Sequence, residues 1–348
     1  MILNNYFVRR LLLIIPTFIG ITLVVFIVTR FVPGGPIEQA ITRYLMAAEG
    51  QQARGGGGGS RATSRVQTIS PQAVAQLAEL YGFNKPWYVS YVEWFGNVLR
   101  GDLGMSTKYT QPVLGMMVSK FPISLRFGII SLIIVYSVCI PLGIAKALRH
   151  RSLFDNLSSV AIFVGYALPG YIVAIVLLQI FAFNLHWLPS GGLFSRNYAQ
   201  MNLFQKIGDN AYHMILPIIA YTISDFASMT IGMKNYTMEN MASDYVKTAV
   251  AKGNTYKNAI WRHAFRNSVV PIAAGLGGII TIFFSGAFLI EKIFNINGMG
   301  LLSFTAIQDR DYPLVLGNLV VVSVLGLLGN ILSDFILSVV DPRIRLGE

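Results

Sequence analysis

Few side chains in this 348-residue chain are spaced for bond-making chemistry. The four histidines, His150, His186, His213 and His263, have no metal-ligand spacing, and no His-Glu-x-x-His occurs. The single cysteine, Cys139, sits in an apolar run and reads as a small packing residue, without a disulfide or metal role. The glycine run Gly55 to Gly59 lacks the Gly-Lys-Ser/Thr ending of a phosphate loop, which argues against nucleotide binding there. A membrane enzyme would need a nucleophile–base pair or a metal constellation, and none is apparent. Two polar features remain, the carboxylate of Asp225 inside an apolar stretch and the basic segment Lys234–Asn267.

A carboxylate within a membrane span costs about 2.5–3.5 kcal/mol on insertion scales, so Asp225 should face protein or a water-filled cavity. Two roles stay open. One is a cavity contact to an amino group or basic side chain of a solute. The other is an interhelical or headgroup-level hydrogen bond, given Ser224, Ser228 and Thr230 nearby. Asp334, near the end of the last apolar run, reads as structural.

The segment Lys234–Asn267 is too long for a tight turn and too regular for disorder. Asp244 can cap a helix through Tyr245–Lys252, and Gly253 fits its end. Asn254 or Thr255 can cap a second helix, Tyr256–Arg266. Tyr245, Val246, Ala249 and Val250 form an apolar face, and Ile260, Trp261, Ala264 and Phe265 repeat the offsets. Lys247, Lys252, Lys257, Arg262 and Arg266 surround them. Two such helices joined at a glycine make a knob suited either to a groove on a partner or to anionic lipid.

The elements that must hold these residues are membrane spans. The chain is 54% hydrophobic and only 12% charged, against about 25% charged for a soluble domain. Six apolar spans are expected: Leu11–Thr29, one between Arg126 and Lys146, Leu157–Phe183, Ala211–Met233 interrupted by Asp225, one between Arg266 and Glu291, and Leu314–Leu337. The first lacks a cleavage pattern after it and reads as a retained helix, not a signal peptide. Pro169-Gly170 loosens the third span, and Gly275, Gly277 and Gly278 permit close helix contact. The net charge is +11, but the basic residues lie between apolar runs, which argues for topology and against nucleic acid. Short loops on one side carry about three times the lysine and arginine of those on the other, which places both termini in the cytoplasm.

This divides the chain into 1–31 (N-terminal segment and first span), 32–123 (extracytoplasmic loop), 124–341 (five-span core containing the cytoplasmic loop 234–268) and 342–348 (cytoplasmic tail). In the outer loop, Gly55 to Gly59 reads as a flexible linker. Ser70-Pro71 can start a helix that stops at Gly82. A second can run from Pro86 to about Gly101, with Tyr88, Tyr91, Val92, Phe95, Val98 and Leu99 at helical spacing. Trp87 and Trp94 add interface-seeking rings, and this helix is expected to pack on the membrane surface or on other spans.

The stretch Asp244-Tyr245-Val246-Lys247-Thr248-Ala249-Val250-Ala251-Lys252-Gly253, with Arg262-His263-Ala264-Phe265-Arg266-Asn267 and Pro271, strongly resembles the ATPase-coupling loop of ABC importer permeases. The general loop reads Glu-Ala-Ala, three residues, then Gly. Lys247 and Thr248 replace the first two positions, a departure shared by the oligopeptide/dipeptide (peptide/nickel) branch. Further motifs of that branch follow in order: Arg9-Arg10, Val32-Pro33-Gly34-Gly35-Pro36, Tyr81-Gly82-Phe83-Asn84-Lys85-Pro86, Arg100-Gly101-Asp102-Leu103-Gly104, Leu188-Pro189-Ser190-Gly191-Gly192, Asp311-Tyr312-Pro313 and Asp341-Pro342-Arg343. Gly35, where many members have Asp, and the long glycine-containing insert look most like the first permease subunit of the microcin C/oligopeptide type.

The resemblance implies an all-α integral membrane protein of the type I importer fold, in the inner (plasma) membrane of a bacterial cell. It implies a heterodimer with a second, similar permease and docking to two ATP-binding cassettes or one fused ATPase. It also implies an extracytoplasmic solute-binding protein and a peptide substrate: an oligopeptide, a dipeptide or a peptide antibiotic. ATP and magnesium would be bound by the partner ATPase, with no cofactor in this chain. Lipid would surround it. The coupling residues would be Asp244, Tyr245, Ala249, Lys252, Gly253, Trp261, His263 and Arg266. Asp225 would then be a candidate for a substrate cavity. The alternatives are a secondary transporter driven by an ion gradient, and the same fold importing nickel or another small solute.

Overall fold

A computed structural model of the chain describes residues 2–31, 85–276 and 287–340. Within these residues regular structure is helical, apart from an isolated bridge between Met105 and Pro112. The outer-loop glycine run, the helix expected after Ser70, Gly277, Gly278 and the Asp341-Pro342-Arg343 motif lie outside them. The described parts fall into two compact units, one from Met1–Ile14, Ser119–Leu302 and Val322–Glu348, the other from Ile15–Val118 and Ser303–Val321.

Four helices are long and apolar enough to cross a bilayer: α1 (Ile2–Phe31), α3 (Val113–Leu148), α6 (Leu203–Ala242) and α12 (Tyr312–Val340). Each exceeds its expected span. In α1, Leu11, Leu12, Ile15 and Val24 are exposed, as a helix facing hydrocarbon requires. Helix α3 begins well before Arg126 and takes in Pro122. The expected span Arg266–Glu291 crosses residues outside the described set.

The third span differs from expectation. It is two arms, α4 (Leu153–Ala167) and α5 (Gly170–Leu177, continuing as a wide helical turn to Asn184), bent by 97°. Leu168 is extended (ψ 121°), as a residue before proline prefers, and Pro169 opens the second arm. A Cβ on Gly170 would lie 2.7 Å from the Ala220 carbonyl, so the corner presses on the α6 backbone. The core beside this corner contains Phe127, Ala174, Leu216, Ala220, Phe294 and Ile296.

The motif around Gly191 meets the same core. The Gly192 amide donates to the Phe294 carbonyl at 2.8 Å, and a Gly191 Cβ would lie 2.6 Å from that oxygen. Because the obstacle is backbone, Gly191→Ala is expected to destabilise by about 1–3 kcal/mol. A lowered Tm of the purified protein would show it; an unchanged Tm would mean that the Phe294 turn can retreat. Just before this turn, α10 (Phe288–Ile293) carries Glu291, expected only to mark a span end and found buried. Its carboxylate accepts from Ser124 Oγ (3.2 Å), Tyr221 OH (3.3 Å) and the Leu301 amide (2.6 Å), and so caps α11 (Met299–Gln308).

In the second unit, α2 (Trp87–Leu99) packs on α1. Tyr91 OH and Thr22 Oγ1 share a hydrogen bond at 3.0 Å, and the Phe26 ring lies 5.5 Å from that of Trp94. The packed stripe is Tyr91, Trp94 and Phe95; Tyr88, Val92 and Leu99, expected on it, are exposed. Asp311 is fully buried and ties the turn at Ser106–Lys108 to the start of α12. It receives Ser106 Oγ, the amides of Thr107 (3.2 Å) and Lys108 (3.3 Å), and the Leu314 amide that opens α12 (3.4 Å).

Candidate functional site

The basic segment forms the expected knob, with changed boundaries. Helix α7 spans Asp244–Ala251. The extended residue before it is Ser243, so Asp244 is the first helical residue and not the cap. Its exposed carboxylate binds Lys247 Nζ at 2.8 Å. That hydrogen bond and the lysine charge hold the Asp244 carboxyl below its ordinary range. At the other end, Gly253 takes φ +91°, as expected of a glycine ending a helix. The Asn254 amide and side chain both donate to the Ala249 carbonyl, each at 3.2 Å.

Of the two candidate caps for the second helix, Thr255 serves: its Oγ1 accepts the Asn258 amide at 3.3 Å. The helix does not stop at Arg266. Helix α8 (Tyr256–Ala259) passes through a wide turn (Ile260–Ala264) into α9 (Phe265–Ala274) without a break. No glycine interrupts 256–274, and the residues flanking the wide turn, Ala259 and Phe265, keep right-handed helical backbone angles. Ser268 Oγ donates to the Ala264 carbonyl (2.7 Å) and lies 3.1 Å from the Tyr236 carbonyl, tying α9 to α6.

Val246, Ala249, Ala259, Ile260 and Ala264 form the inside of the knob, with Met241 against them. Ala249 is only 8% exposed, so it holds the two helices together. Tyr245, Lys252, Gly253, Trp261, His263 and Arg266 lie on the outside. Tyr245 OH donates to Asn240 Oδ1 at 2.5 Å, and the Trp261 and Phe265 rings lie 5.5 Å apart. His263, expected to pack or hydrogen-bond, is exposed instead.

A charge cluster that sequence reasoning missed joins α3, α4 and α6. Lys146, at 0% exposure, lies in the last turn of α3. Its Nζ donates to the Asp155 carbonyl (2.8 Å), Ser158 Oγ (2.6 Å) and Ser159 Oγ (2.8 Å), and lies 3.1 Å from Asp155 Oδ1. Lys234 on α6 grips both Asp155 oxygens at 2.7 and 2.8 Å. The Arg151 amide donates to Oδ2 at 3.1 Å, and His150 Nδ1 lies 3.4 Å from it. The two lysines entered the sequence reading only as topology signals. The available signal was Asp155 itself, a lone acid just after a basic loop. At the far end of α12, Asp334 pairs with Arg10 at 2.7 Å, the structural role expected of it.

Asp225 lines a cavity of about 320 Å³ with Ser131, Tyr136, Ser228, Tyr236 and Ile272 among its walls. Ser228 Oγ donates to the Asp225 backbone carbonyl (3.1 Å), not to its carboxylate. Among the described residues no side chain hydrogen-bonds or ion-pairs with that carboxylate. Ser131 Oγ, in a residue 8% exposed, likewise has no hydrogen-bond partner there.

Comparison with known proteins gives this architecture a family. Residues 139–346 match the family described as the binding-protein-dependent transport system inner membrane component. The inner membrane ABC transporter permease protein YejB of Escherichia coli O157:H7 is 38% identical over 360 residues, covering 98% of this chain and 99% of that protein. The peptidoglycan transport system permease protein YejB of Agrobacterium fabrum is 38% identical over 357 residues, with 98% of each chain covered. The oligopeptide transport system permease protein AppB of Bacillus subtilis is 30% identical over 341 residues, covering 98% and 99%. The chain therefore belongs to the inner-membrane permease family of binding-protein-dependent ABC transport systems, as a multi-pass transporter subunit, not an enzyme, that works with an ATPase and a solute-binding protein.

Proposed function

We propose that this chain is half of the translocation path of an ATP-driven peptide importer, paired with a second, similar permease. The observation that carries the coupling role is the knob of α7 and α8, closed by the left-handed turn at Gly253 and fused to α9. Tyr245, Gly253 and Trp261 form its docking surface, with Asp244, Lys252, His263 and Arg266 around them, and Ala249 shapes it from within. The partner is two ATP-binding cassettes or one fused ATPase, which binds ATP and magnesium. Cassette closure moves the knob as one body, the attached helices tilt with it, and the path opens to the other side.

Peptide is favoured over nickel because relatives are named oligopeptide and dipeptide transport system permeases. DppB of Escherichia coli K12, 32% identical over 357 residues, is one of the latter. Family membership sets aside the ion-gradient alternative. Six spans with both termini in the cytoplasm follow from the placement of lysine and arginine, with 32–123 outside. Reconstitution with the partner subunits tests the reading. ATP inside vesicles should drive uptake of a radiolabelled tripeptide presented on the binding protein. Uptake without ATP, or none with it, would overturn the proposal.

A further inference from the structure

The cavity beside Asp225 holds two features that the fold does not use. A carboxylate within a membrane helix needs a compensating partner or water, and Asp225 has no side-chain partner among the described residues. Ser131 Oγ is buried in the same lining and has no hydrogen-bond partner among the described residues, which ordinarily costs free energy. Together they offer a negative charge and a hydroxyl acceptor, flanked by the rings of Tyr136 and Tyr236. That combination suits a cation with several N–H donors. A carboxylate end would be repelled.

At about 320 Å³ the cavity is at the lower end of ligand-pocket sizes and would take one end of a solute, not a whole oligopeptide. Peptides of different sequence share a neutral amide backbone and two charged termini, and of these only the amino end is positive. Resting on the peptide reading above, we propose that Asp225 and Ser131 receive the terminal ammonium of the peptide as it crosses. A permease built this way passes varied side chains yet discriminates against a blocked amino end.

The test uses the complete reconstituted transporter with saturating loaded binding protein, and trialanine and N-acetyl-trialanine as probes. The affinity of the binding protein for each is measured separately. In the wild type, trialanine should cross faster than its acetylated form once loading is equal. Asp225→Asn should lower trialanine uptake about tenfold, the scale of one charged hydrogen bond, and leave the acetylated peptide unchanged. Ser131→Ala should act in the same direction more weakly, and Asp225→Glu should restore part of the preference. Equal loss for both probes across the Asp225 and Ser131 variants would show a structural role and overturn the proposal. So would a wild type indifferent to acetylation, or wild-type uptake kept in Asp225→Asn. Wild-type failure to import either peptide would instead overturn the peptide reading, and the ammonium site with it.

Discussion

Replacing Asp155 by alanine is expected to destabilise the permease by about 3–5 kcal/mol, as removal of one partner from a buried ion cluster does. The substitution leaves Lys146 fully buried, with only the residue-155 carbonyl and the hydroxyls of Ser158 and Ser159 to receive its charge. Lys234 loses both of its acceptors, and two ammonium groups then share one site with nothing between them. Thermal melting of the detergent-purified variant and its level in the membrane would report the loss. A second substitution separates packing from charge. Adding Lys234→Met to Asp155→Ala should cost less than the two single effects summed, because the second change removes a charge that the first has stranded. If Asp155→Ala melts like the wild type, Lys146 must find water that its burial does not suggest.

Gly253→Asp is expected to reduce transport by about thirtyfold or more, the scale of an interface hot spot, with insertion into the membrane intact. Gly253 holds φ +91°, a conformation that L side chains rarely adopt. A Cβ there meets nothing within 4 Å in this chain. Strain at the turn is therefore the cost expected inside the knob, about 1–2 kcal/mol for an L residue in the left-handed region. The large effect comes from a charged side chain standing where the ATPase must approach. Gly253→Asn, which tolerates the left-handed region better, should fold well and still couple poorly. The paired readouts are peptide uptake and ATP hydrolysis stimulated by loaded binding protein. Normal uptake by a well-inserted Gly253→Asp variant would remove Gly253 from the docking surface.

The legible parts of this protein were those governed by one-dimensional pattern. Long apolar runs gave the helices, and paired apolar offsets around Gly253 gave the knob. What stayed hidden depended on meetings between distant residues. Pro169-Gly170 read as a kink; the 97° corner exists because Gly170 abuts the Ala220 carbonyl some fifty residues on. Glu291 looked like the polar end of a span, since nothing local shows that Ser124, Tyr221 and the start of α11 converge on it. Lys146 and Lys234 were legible as charges and not as partners of Asp155. The stop placed at Arg266 failed because a basic residue near a membrane face resembles a helix end, while nothing there breaks the backbone. For Asp225, the sequence left a cavity and a hydrogen bond both open. The structure gives it the cavity wall and leaves its carboxylate without a side-chain bond among the described residues.

The unbroken helical run from 256 to 274 has a mechanical consequence. Its first residues belong to the knob, and near its far end Pro271 and Ile272 line the same cavity as Asp225. At about 1.5 Å per residue the run is a continuous lever roughly 28 Å long, with Pro271 close to its far end. Pivoting it by about 5° at one end sweeps the other by roughly 2.5 Å, about the width of a water molecule. A small rotation imposed at the ATPase side would thus be delivered as a change in bore at Asp225, with no relay of side chains in between.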